Sequence, residues 1–214
     1  MIVNTQASDI PVIIRRRGLC DYEPIWHEMQ SFTLQRDADT PDEIWLLQHP
    51  PVFTLGRNAK QEHILNPGNI PVIPIDRGGQ VTYHGPGQLM IYTLVNLKRL
   101  GLGIRDFVTR LEQAVIDLLA EYDIEAHGRR DAPGVYVGDA KIAALGLRVK
   151  HGCTYHGLAL NIDMDLSPFD RINPCGYADL PVTQLQDLGI SDNMEDISDR
   201  FLEHLLANLG YNAE

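Results

Sequence analysis

Apolar residues recur along the chain with two spacings, one typical of helices and one typical of strands. Apolar positions three and four residues apart mark a segment that starts near Asp21 and two further segments over 104–122 and 194–209. Gly210 stands where the last of these is expected to stop. The pattern therefore predicts three amphipathic helices, the last of them in a C-terminal helical segment, 185–214.

Strand-like runs fill much of the remaining chain. Gly18 is predicted to end the first run. Pro74 is predicted to confine a later one to a sheet edge, because proline lacks a donor for the strand ladder. The last runs are separated by short turns at 138–139 and 150–152, which predicts an antiparallel meander. The predicted strands cover 11–17, 43–49, 52–55, 72–75, 81–84, 89–97, 135–137, 141–148 and 154–163, and the predicted loops include 37–42 and 98–103.

This order of elements predicts the fold class. Interspersed helices and strands with antiparallel hairpins indicate an α/β or α+β fold, in which a mixed β-sheet is flanked by helices. A length of 214 residues and a hydrophobic content of 44% suit one domain with a sizeable core. Residues 1–214 are therefore predicted to form a single domain, large enough to be a catalytic domain.

Residues 77–88 form the most unusual stretch. Four glycines and a proline stand there among Arg77, Thr82, Tyr83 and His84. Glycine adds no side chain to a core, but it lets the main chain approach another group closely or adopt a positive φ. The stretch is interpreted as one wall of a ligand slot. A turn-rich hairpin without a ligand explains the same local pattern equally well.

The net charge of −11 disfavours nucleic acid as a partner, because phosphate binding depends on Lys and Arg. An acidic protein partner would need a local basic patch, although clusters of this kind are usually solvated surface. The candidates are Arg15 to Arg17, Lys98 with Arg99, Arg129 with Arg130, and Arg148 with Lys150.

The cysteines indicate a reducing compartment. Cys20, Cys153 and Cys175 are odd in number and form no Cys-x-x-Cys pair. The sequence contains neither a secretory signal nor an apolar run long enough to cross a bilayer. We therefore expect a cytoplasmic protein that makes no membrane contact, and we expect a monomer.

Cys175 is the strongest candidate for chemistry. Pro174 restricts the backbone before it and Gly176 frees the backbone after it, which suits a nucleophile on a constrained turn. A free cysteine is more often a small buried hydrophobe. A thiol with the reference pKa of about 8.5 is only a few per cent thiolate at neutral pH, so a nucleophile needs a nearby cation or base. Lys141 starts an apolar strand, where a lysine is unusual unless it extends to solvent.

Patterns for metal and nucleotide binding are absent from the sequence. His151, Cys153 and His156 are close together, but no second set of ligands with metal-binding spacing accompanies them. No Lys follows a Gly, which excludes a Gly-x-x-x-x-Gly-Lys phosphate loop. Residues 85–90 lack the last glycine of the dinucleotide fingerprint. Neither a metal nor a cofactor is therefore expected.

Six motifs, in order over nearly the whole chain, resemble those of the lipoyl(octanoyl) transferases of lipoate biosynthesis. Ala144 stands where some members of that family carry Ser, which removes a hydroxyl contact to the substrate. Beyond about residue 185 no motif is found. The matching stretches are 49–56, 77–88, 131–138, 141–147, 156–161 and 173–177.

The resemblance implies the fold of the biotin/lipoate protein ligases, within the superfamily of class II aminoacyl-tRNA synthetases and biotin synthetases. It also implies transfer of an octanoyl group from octanoyl-acyl carrier protein to a lysine of a lipoyl domain. Acceptors of this kind are the lipoyl domains of 2-oxoacid dehydrogenases and the glycine cleavage H protein.

By position, the resemblance implies that Cys175 is the acyl-thioester nucleophile and that Lys141 lowers its pKa. Gly146 and Gly157, in strand-like context, are expected to leave room for an acyl chain. The residues implied to line the acyl and substrate pocket are Arg77, Gly78, Gly79, Gln80, Val81, Thr82, Tyr83 and His84, then Ala144, Leu145 and Gly146, and finally Gly157, Leu158 and Ala159.

This chemistry needs no ATP, because thioester exchange is nearly balanced and the final amide formation is downhill. Two other functions stay open at this point. An ATP-dependent lipoate or biotin ligase would form an adenylate and would not need Cys175. A module that binds an acyl carrier or a lipoyl domain without catalysis would need neither Cys175 nor Lys141.

Overall fold

The computed structural model describes residues 12–173 and 180–211, so Cys175 lies outside the described residues. The strands are β1 (Val12–Leu19), β2 (Asp42–Gln48), β3 (Val52–Leu55), β4 (Val72–Pro74), β5 (Val81–His84), β6 (Gln88–Leu94), β7 (His127–Gly128), β8 (Gly134–Val137), β9 (Ala140–Lys150) and β10 (Cys153–Asn161). The α-helices are α1 (Tyr22–Gln35), α2 (Leu97–Leu100), α3 (Ile104–Ala120) and α4 (Met194–Leu209). Short 3₁₀ turns lie at Gln61–His63, Ser167–Arg171 and Gln186–Leu188.

The described strands form two sheets. The larger has the order β1-β2-β6-β10-β9-β8-β7, in which β1 and β2 run parallel and the other neighbours run antiparallel. The smaller has the order β4-β3-β5, with β3 parallel to β4 and antiparallel to β5. β4 ends at Pro74 and is an edge strand, as its proline predicts.

Helices cover both faces of the larger sheet. α3 and α4 pack on one face through fully buried side chains such as Phe107, Leu111 and Phe201. α1 packs on the other face through Ile25 and Met29. The predicted apolar stripes of these helices therefore face the core. Burying one side chain of this size stabilises the fold by about 1.5–3 kcal/mol. None of the described helices is both long and apolar enough to cross a bilayer.

The predicted ends and turns are confirmed where local signals set them. α4 ends before Gly210, which has a φ of +79°, and begins after Asn193, whose side chain accepts from two backbone N–H groups. The β8–β9 turn contains Gly138 at φ +56°. The β9–β10 turn contains His151 and Gly152, both with positive φ. These features depend on a few adjacent residues, which is why the sequence predicts them.

The local predictions at Gly18 and over 98–103 were wrong. β1 continues through Gly18, which has a φ of +65° and lies in a bulge where the register with β2 shifts between Arg16 and Leu19. Helix α2 occupies part of the predicted 98–103 loop, and the side chain of Asn96 caps its first turn. In both cases the polar or glycine signal marks a local irregularity rather than the end of ordered structure.

Asp42 is the first residue of β2, although its polar surroundings in sequence predict a loop there. Its carboxylate is buried and accepts from Arg36 at 2.6 Å, from the Tyr211 hydroxyl at 2.8 Å and from the backbone N–H of Asn96 at 2.8 Å. A buried charge requires partners of this kind. Two of the three lie far away in sequence, so the sequence alone does not reveal that Asp42 is internal.

Candidate functional site

A cavity lies against the face of the larger sheet that α1 covers, and its space amounts to about 520 Å³ when the open solvent at its mouth is included. Residues of β6, β9 and β10 form its sheet side. The first residue of α1 and the glycine-rich stretch before and along β5 close it from above. The stretch interpreted as the wall of a ligand slot is therefore one wall of a cavity.

The two ends of this cavity differ in exposure. Tyr22, His84, Met90 and Tyr92 line it and are each at most 5% exposed, and the buried part that they form is called the closed end here. Gly79 also lines the cavity and is exposed. An elongated ligand that enters beside Gly79 would be enclosed at its far end.

A change in side-chain size across the sheet creates the space. Leu47, Met90, Ala159 and Ala144 are successive cross-strand partners on β2, β6, β10 and β9. Directly opposed residues point to the same face of a sheet. The side chains in this row are therefore long on β2 and β6 and short on β10 and β9, which leaves a hollow above the two alanines.

Gly146 and Gly157 oppose each other in the next row, and both line the cavity. A Cβ on Gly157 would lie 1.9 Å from the carbonyl oxygen of Ile91 on β6. A Cβ on Gly146 would lie 3.1 Å from Cδ of Arg77 and 3.1 Å from the carbonyl oxygen of Gly78. Close contacts within the protein therefore exclude a side chain at both positions, and the approach of an acyl chain to these glycines stays a prediction.

Arg77 holds the glycine-rich stretch in place. Its Nη2 donates to the carbonyl of Thr54 at 2.8 Å, to Oγ1 of Thr54 at 2.9 Å and to the carbonyl of Gln80 at 2.9 Å. Its Nη1 donates to the carbonyl of Gly78 at 2.9 Å. The planar fork of a guanidinium suits several carbonyl acceptors at once. Backbone N–H groups of residues 56–58 add three bonds to carbonyls of the same stretch, so this wall is rigidly supported.

Two histidines at the closed end are buried and neutral. His49 donates from Nδ1 to the carbonyl of Cys20 at 2.6 Å, and its Nε2 accepts from the Tyr92 hydroxyl at 2.7 Å. Burial lowers the pKa of His49 to about 4. Burial also lowers the pKa of His84 well below its ordinary value, and the neighbouring His49 adds to the effect. The closed end therefore carries hydrogen-bonding groups but no histidine charge near neutral pH.

Asp76 lies beside the cavity and accepts several hydrogen bonds. It accepts from Nε2 of His156 at 3.0 Å, from Nε1 of Trp26 at 2.8 Å and from the hydroxyl of Tyr155. Burial raises the pKa of Asp76, but these hydrogen bonds outweigh it and hold the pKa well below the usual value. His156 is itself buried, which lowers its pKa in spite of the carboxylate. The pair orients the His156 ring at the cavity wall.

Lys141 is buried, at 3% exposure, and does not extend to solvent. Its Nζ donates to the carbonyl of Pro133 at 3.3 Å and lies 5.1 Å from the ring centre of Tyr136. Burial raises the pKa of Glu112 on α3, whereas the charge of Lys141 acts in the opposite direction. The cavity lining reaches β9 at Ala144, three residues further along the strand, which corresponds to roughly 10 Å.

A strap, defined here as residues 180–186, crosses the ends of β9 and β10. The backbone N–H of Lys141 donates to the carbonyl of Pro181 at 2.8 Å, and its carbonyl accepts from the N–H of Thr183 at 3.0 Å. The N–H of Leu185 donates to the carbonyl of Asn161 at 3.1 Å. The strap therefore fixes the main chain of Lys141 on the side opposite to β8.

Most residues predicted to line a pocket do line this cavity. Gly78 and Tyr83 do not line it. Tyr83 points to the opposite side of β5 and packs against Phe53 and Phe169. Cys175 lies outside the described residues. The predicted residues on the lining are Arg77, Gly79, Gln80, Val81, Thr82, His84, Ala144, Leu145, Gly146, Gly157, Leu158 and Ala159.

Comparison with known proteins assigns the family. The sequence matches the lipoyl protein ligase A/B catalytic domain over residues 21–206. It is 61% identical over 198 residues to the octanoyltransferase of Stutzerimonas stutzeri, covering 92% of this chain and 90% of the relative. It is 56% identical over 210 residues to the octanoyltransferase of Hahella chejuensis, covering 98% and 93%. The chain belongs to the octanoyltransferase family. Membership makes it an acyltransferase and confirms the resemblance of its motifs.

Solved structures with little sequence identity share the fold. One is a putative lipoate protein ligase from T. acidophilum with bound lipoic acid, which has a TM-score of 0.74 and 11% identity and covers 95% of this chain and 88% of that one. Another is the biotin protein ligase of Aquifex aeolicus, with a TM-score of 0.54 and 12% identity, covering 92% and 68%. The predicted biotin/lipoate protein ligase fold is confirmed.

Tyr22, Met90, Tyr92 and His156 also line the cavity of this octanoyltransferase-family chain, and sequence reasoning did not select them for it. Tyr22 precedes the predicted apolar stripe of α1 by three positions, which is a weak signal. Met90 and Tyr92 alternate along β6, so the sequence shows that they share a face. Only the sheet order shows that the face belongs to the cavity.

Within residues 12–173 and 180–211, no group of three or more His, Cys, Asp or Glu is arranged to hold a metal ion. The local cluster noted in the sequence is dispersed: His151 is exposed in a turn, Cys153 is buried, and His156 bonds to Asp76. Cys153 is a free thiol, as is Cys20.

Proposed function

We propose that this octanoyltransferase-family chain transfers an octanoyl group from octanoyl-acyl carrier protein to a lysine of a lipoyl domain, through a thioester on Cys175. Its acceptors would be the lipoyl domains of 2-oxoacid dehydrogenases and the glycine cleavage H protein. The single observation that carries the proposal is the cavity, which is partly open to solvent and is lined by β9, the strand that holds a buried Lys141.

The shape of the cavity supports an acyl ligand. A linear chain needs a narrow space that is closed at the far end and open where its carboxyl carbon reacts. The closed end at Met90 and Tyr92 and the exposed end near Gly79 meet both requirements. The hollow above Ala144 and Ala159 provides the width for methylene groups.

The environment of Lys141 supports a role in activating a thiol. A buried ammonium close to a cysteine favours the thiolate, and a shift of two pKa units corresponds to about 2.7 kcal/mol. Cys175 is two residues after Asn173, whose N–H donates to the carbonyl of His63, and six residues before Pro181, which is bonded to Lys141.

The proposed reaction balances without a nucleotide. The Cys175 thiolate attacks the carrier thioester, the carbon–sulfur bond to the carrier breaks, and the carrier thiol leaves with a proton. The acceptor lysine, as a neutral amine, then attacks the thioester on Cys175. An amide forms, and the Cys175 thiol is regenerated with the proton that the amine loses. The first step exchanges equivalent bonds and the second is downhill.

A transfer assay with two donors tests the proposal. Octanoyl-acyl carrier protein should octanoylate a lipoyl domain in the presence of this protein without ATP, and a domain that lacks the target lysine should stay unmodified. Free octanoate with ATP should give no product. Product from octanoate and ATP, with none from the carrier thioester, would instead assign the chain an adenylate-forming ligase reaction.

A further inference from the structure

A buried series of hydrogen bonds starts at the arginine that supports the cavity wall. Nη2 of Arg77 donates to Oγ1 of Thr54 at 2.9 Å. Oγ1 of Thr54 lies 3.3 Å from Nε2 of His84, and Nδ1 of His84 lies 2.8 Å from Oε1 of Gln88. Thr54, His84 and Gln88 are at most 4% exposed, so water does not compete for these bonds.

The series continues to the backbone of Lys141. Nε2 of Gln88 donates to Oδ1 of Asn161 at 2.9 Å, and Nδ2 of Asn161 donates to the carbonyl of Thr183 at 2.9 Å. The N–H of Thr183 in turn donates to the carbonyl of Lys141 at 3.0 Å. A continuous relay, defined as Arg77, Thr54, His84, Gln88, Asn161 and Thr183, thus connects the glycine-rich wall with the strap.

Both ends of the relay fix its direction. A guanidinium can only donate, and a backbone carbonyl can only accept. Because Asn161 donates from Nδ2 to the Thr183 carbonyl, Oδ1 of Asn161 accepts from Nε2 of Gln88, and Oε1 of Gln88 accepts from Nδ1 of His84. The neutral His84 ring then accepts at Nε2 from the Thr54 hydroxyl. The carboxamides of Gln88 and Asn161 then each have one orientation that satisfies both neighbours. Reversing either amide would place two donors or two acceptors against each other.

We propose that Asn161 and Gln88 are positioning residues that hold the strap, and through it the main chain of Lys141, in the arrangement needed for acyl transfer. The proposal rests on the proposed function, because it assigns a use to the position of Lys141. Neither amide contacts the Lys141 side chain within the described residues. Their effect is transmitted through Thr183, which Asn161 holds by its carbonyl and which holds Lys141 by its N–H.

Two substitutions change the polarity of the relay with little change in shape. Asn161→Asp keeps an acceptor for Gln88 but presents an oxygen to the carbonyl of Thr183. Gln88→Glu presents an oxygen to Oδ1 of Asn161, which favours rotation of the Asn161 amide and loss of its bond to Thr183. The second substitution acts on the strap from a residue that does not touch it.

Asn208→Ala is a matched control. The Asn208 carboxamide donates to Asp117 at 2.8 Å and to the carbonyl of His204 at 2.9 Å, and thus links α4 to α3 far from the cavity. Removing this half-buried amide deletes both hydrogen bonds and leaves the relay unchanged. Folding of every variant is checked by urea unfolding before the other measurements.

The first measurement is hydrogen exchange at the Thr183 amide of the full chain. Both relay variants should exchange this amide faster than the parent, and Asn208→Ala should not. The second measurement is steady-state transfer with octanoyl-acyl carrier protein. Displacing a catalytic group slightly costs up to about 100-fold in rate, so kcat should fall about 10- to 100-fold, whereas KM for the donor should change less than about twofold.

A pH profile separates positioning from mere stability. The pH profile of the Cys175 alkylation rate should shift to higher pH in Asn161→Asp and Gln88→Glu, in the same direction as in Lys141→Ala. The profile of Asn208→Ala should match that of the parent. The double variant should show less than the summed effect, because both substitutions break one relay.

Unchanged Thr183 exchange in both relay variants, or kcat at the parental value in both, would overturn the inference while leaving the proposed function intact. A Lys141→Ala variant with parental kcat and an unshifted alkylation profile would remove the role assigned to Lys141, and with it the use proposed for the relay.

Discussion

Met90 on β6 and Ala159 on β10 are direct cross-strand partners on the floor of the cavity. Met90 is long and lies at the closed end, whereas Ala159 contributes a single methyl group beside it. The depth available to an acyl chain therefore depends on the sizes of these two side chains.

This relationship predicts chain-length preference. Ala159→Val fills part of the hollow and should favour hexanoyl over octanoyl donors, whereas Met90→Ala should improve the use of decanoyl donors. One methylene in an apolar pocket changes discrimination by about tenfold or more. The ratio of kcat/KM for C6, C8 and C10 carrier thioesters measures the effect. Ala207→Val, on the exposed side of α4, is the control, and an unchanged ratio in both cavity variants would contradict the proposed position of the acyl chain.

Stability should fall as the pH decreases below about 6.5. His49, His84 and His156 are buried, and their pKa values are lowered, in the case of His49 to about 4. The unfolded chain binds protons near the ordinary histidine value, whereas the folded chain binds them only at lower pH. Between pH 6.5 and about 4, protonation of His49 in the unfolded chain therefore reduces the free energy of unfolding by up to about 1.4 kcal/mol per pH unit, and His84 and His156 act in the same direction.

Urea unfolding at pH 7.5 and pH 5.5 measures this pH dependence. The loss of unfolding free energy between the two pH values should be smaller in His49→Gln than in the parent. It should equal the parental loss in His27→Gln, because His27 is exposed on α1. Equal or greater stability at pH 5.5 in the parent protein would show that the buried histidines are not neutral.

Gly157→Ala should destabilise the protein rather than weaken substrate binding. The added Cβ would lie 1.9 Å from the carbonyl oxygen of Ile91, so β6 and β10 would have to move apart, at a cost of about 3 kcal/mol. Gly138→Ala is the comparison, because it has a positive φ but open space around it and should cost only about 1 kcal/mol. A stable Gly157→Ala variant with a raised KM would indicate that the space is reserved for substrate after all.

Arg77→Lys should lower both stability and transfer. Lysine keeps the charge but cannot replace the planar fork that bonds Thr54, Gly78 and Gln80. Buried carbonyls left without donors cost about 1–3 kcal/mol each, so the loss should reach about 2–4 kcal/mol. Thermal unfolding and the transfer assay measure it, with Arg57→Lys on the exposed neighbouring loop as the control. Parental values for Arg77→Lys would mean that the wall does not depend on this fork.

The sequence predicts the features that local residues determine. The amphipathic stripes of α3 and α4, the turn glycine Gly138 and the strand over Val81–His84 all follow from spacing within a short window. The glycine-rich stretch also indicates a ligand wall before any contact is known.

Features that depend on sheet order were beyond the sequence. The pairing of Ala144 with Ala159 follows from the predicted turn at 150–152, but the pairing of Ala159 with Met90 does not, because nothing in the sequence indicates that β6 and β10 are neighbours in that register. The close approach of Ile91 to Gly157 and the burial of Asp42 have the same origin. A glycine shows that something comes close, but whether it is a ligand or another strand depends on tertiary structure.

Intact-mass analysis of the protein after incubation with octanoyl-acyl carrier protein, without an acceptor, tests the central proposal most directly. A single octanoyl adduct should form on the parent and on Cys20→Ser, map to Cys175, and disappear when a lipoyl domain is added. It should be absent from folded Cys175→Ser, which should also transfer nothing. Full transfer activity in Cys175→Ser, or an adduct that persists in that variant, would contradict the account.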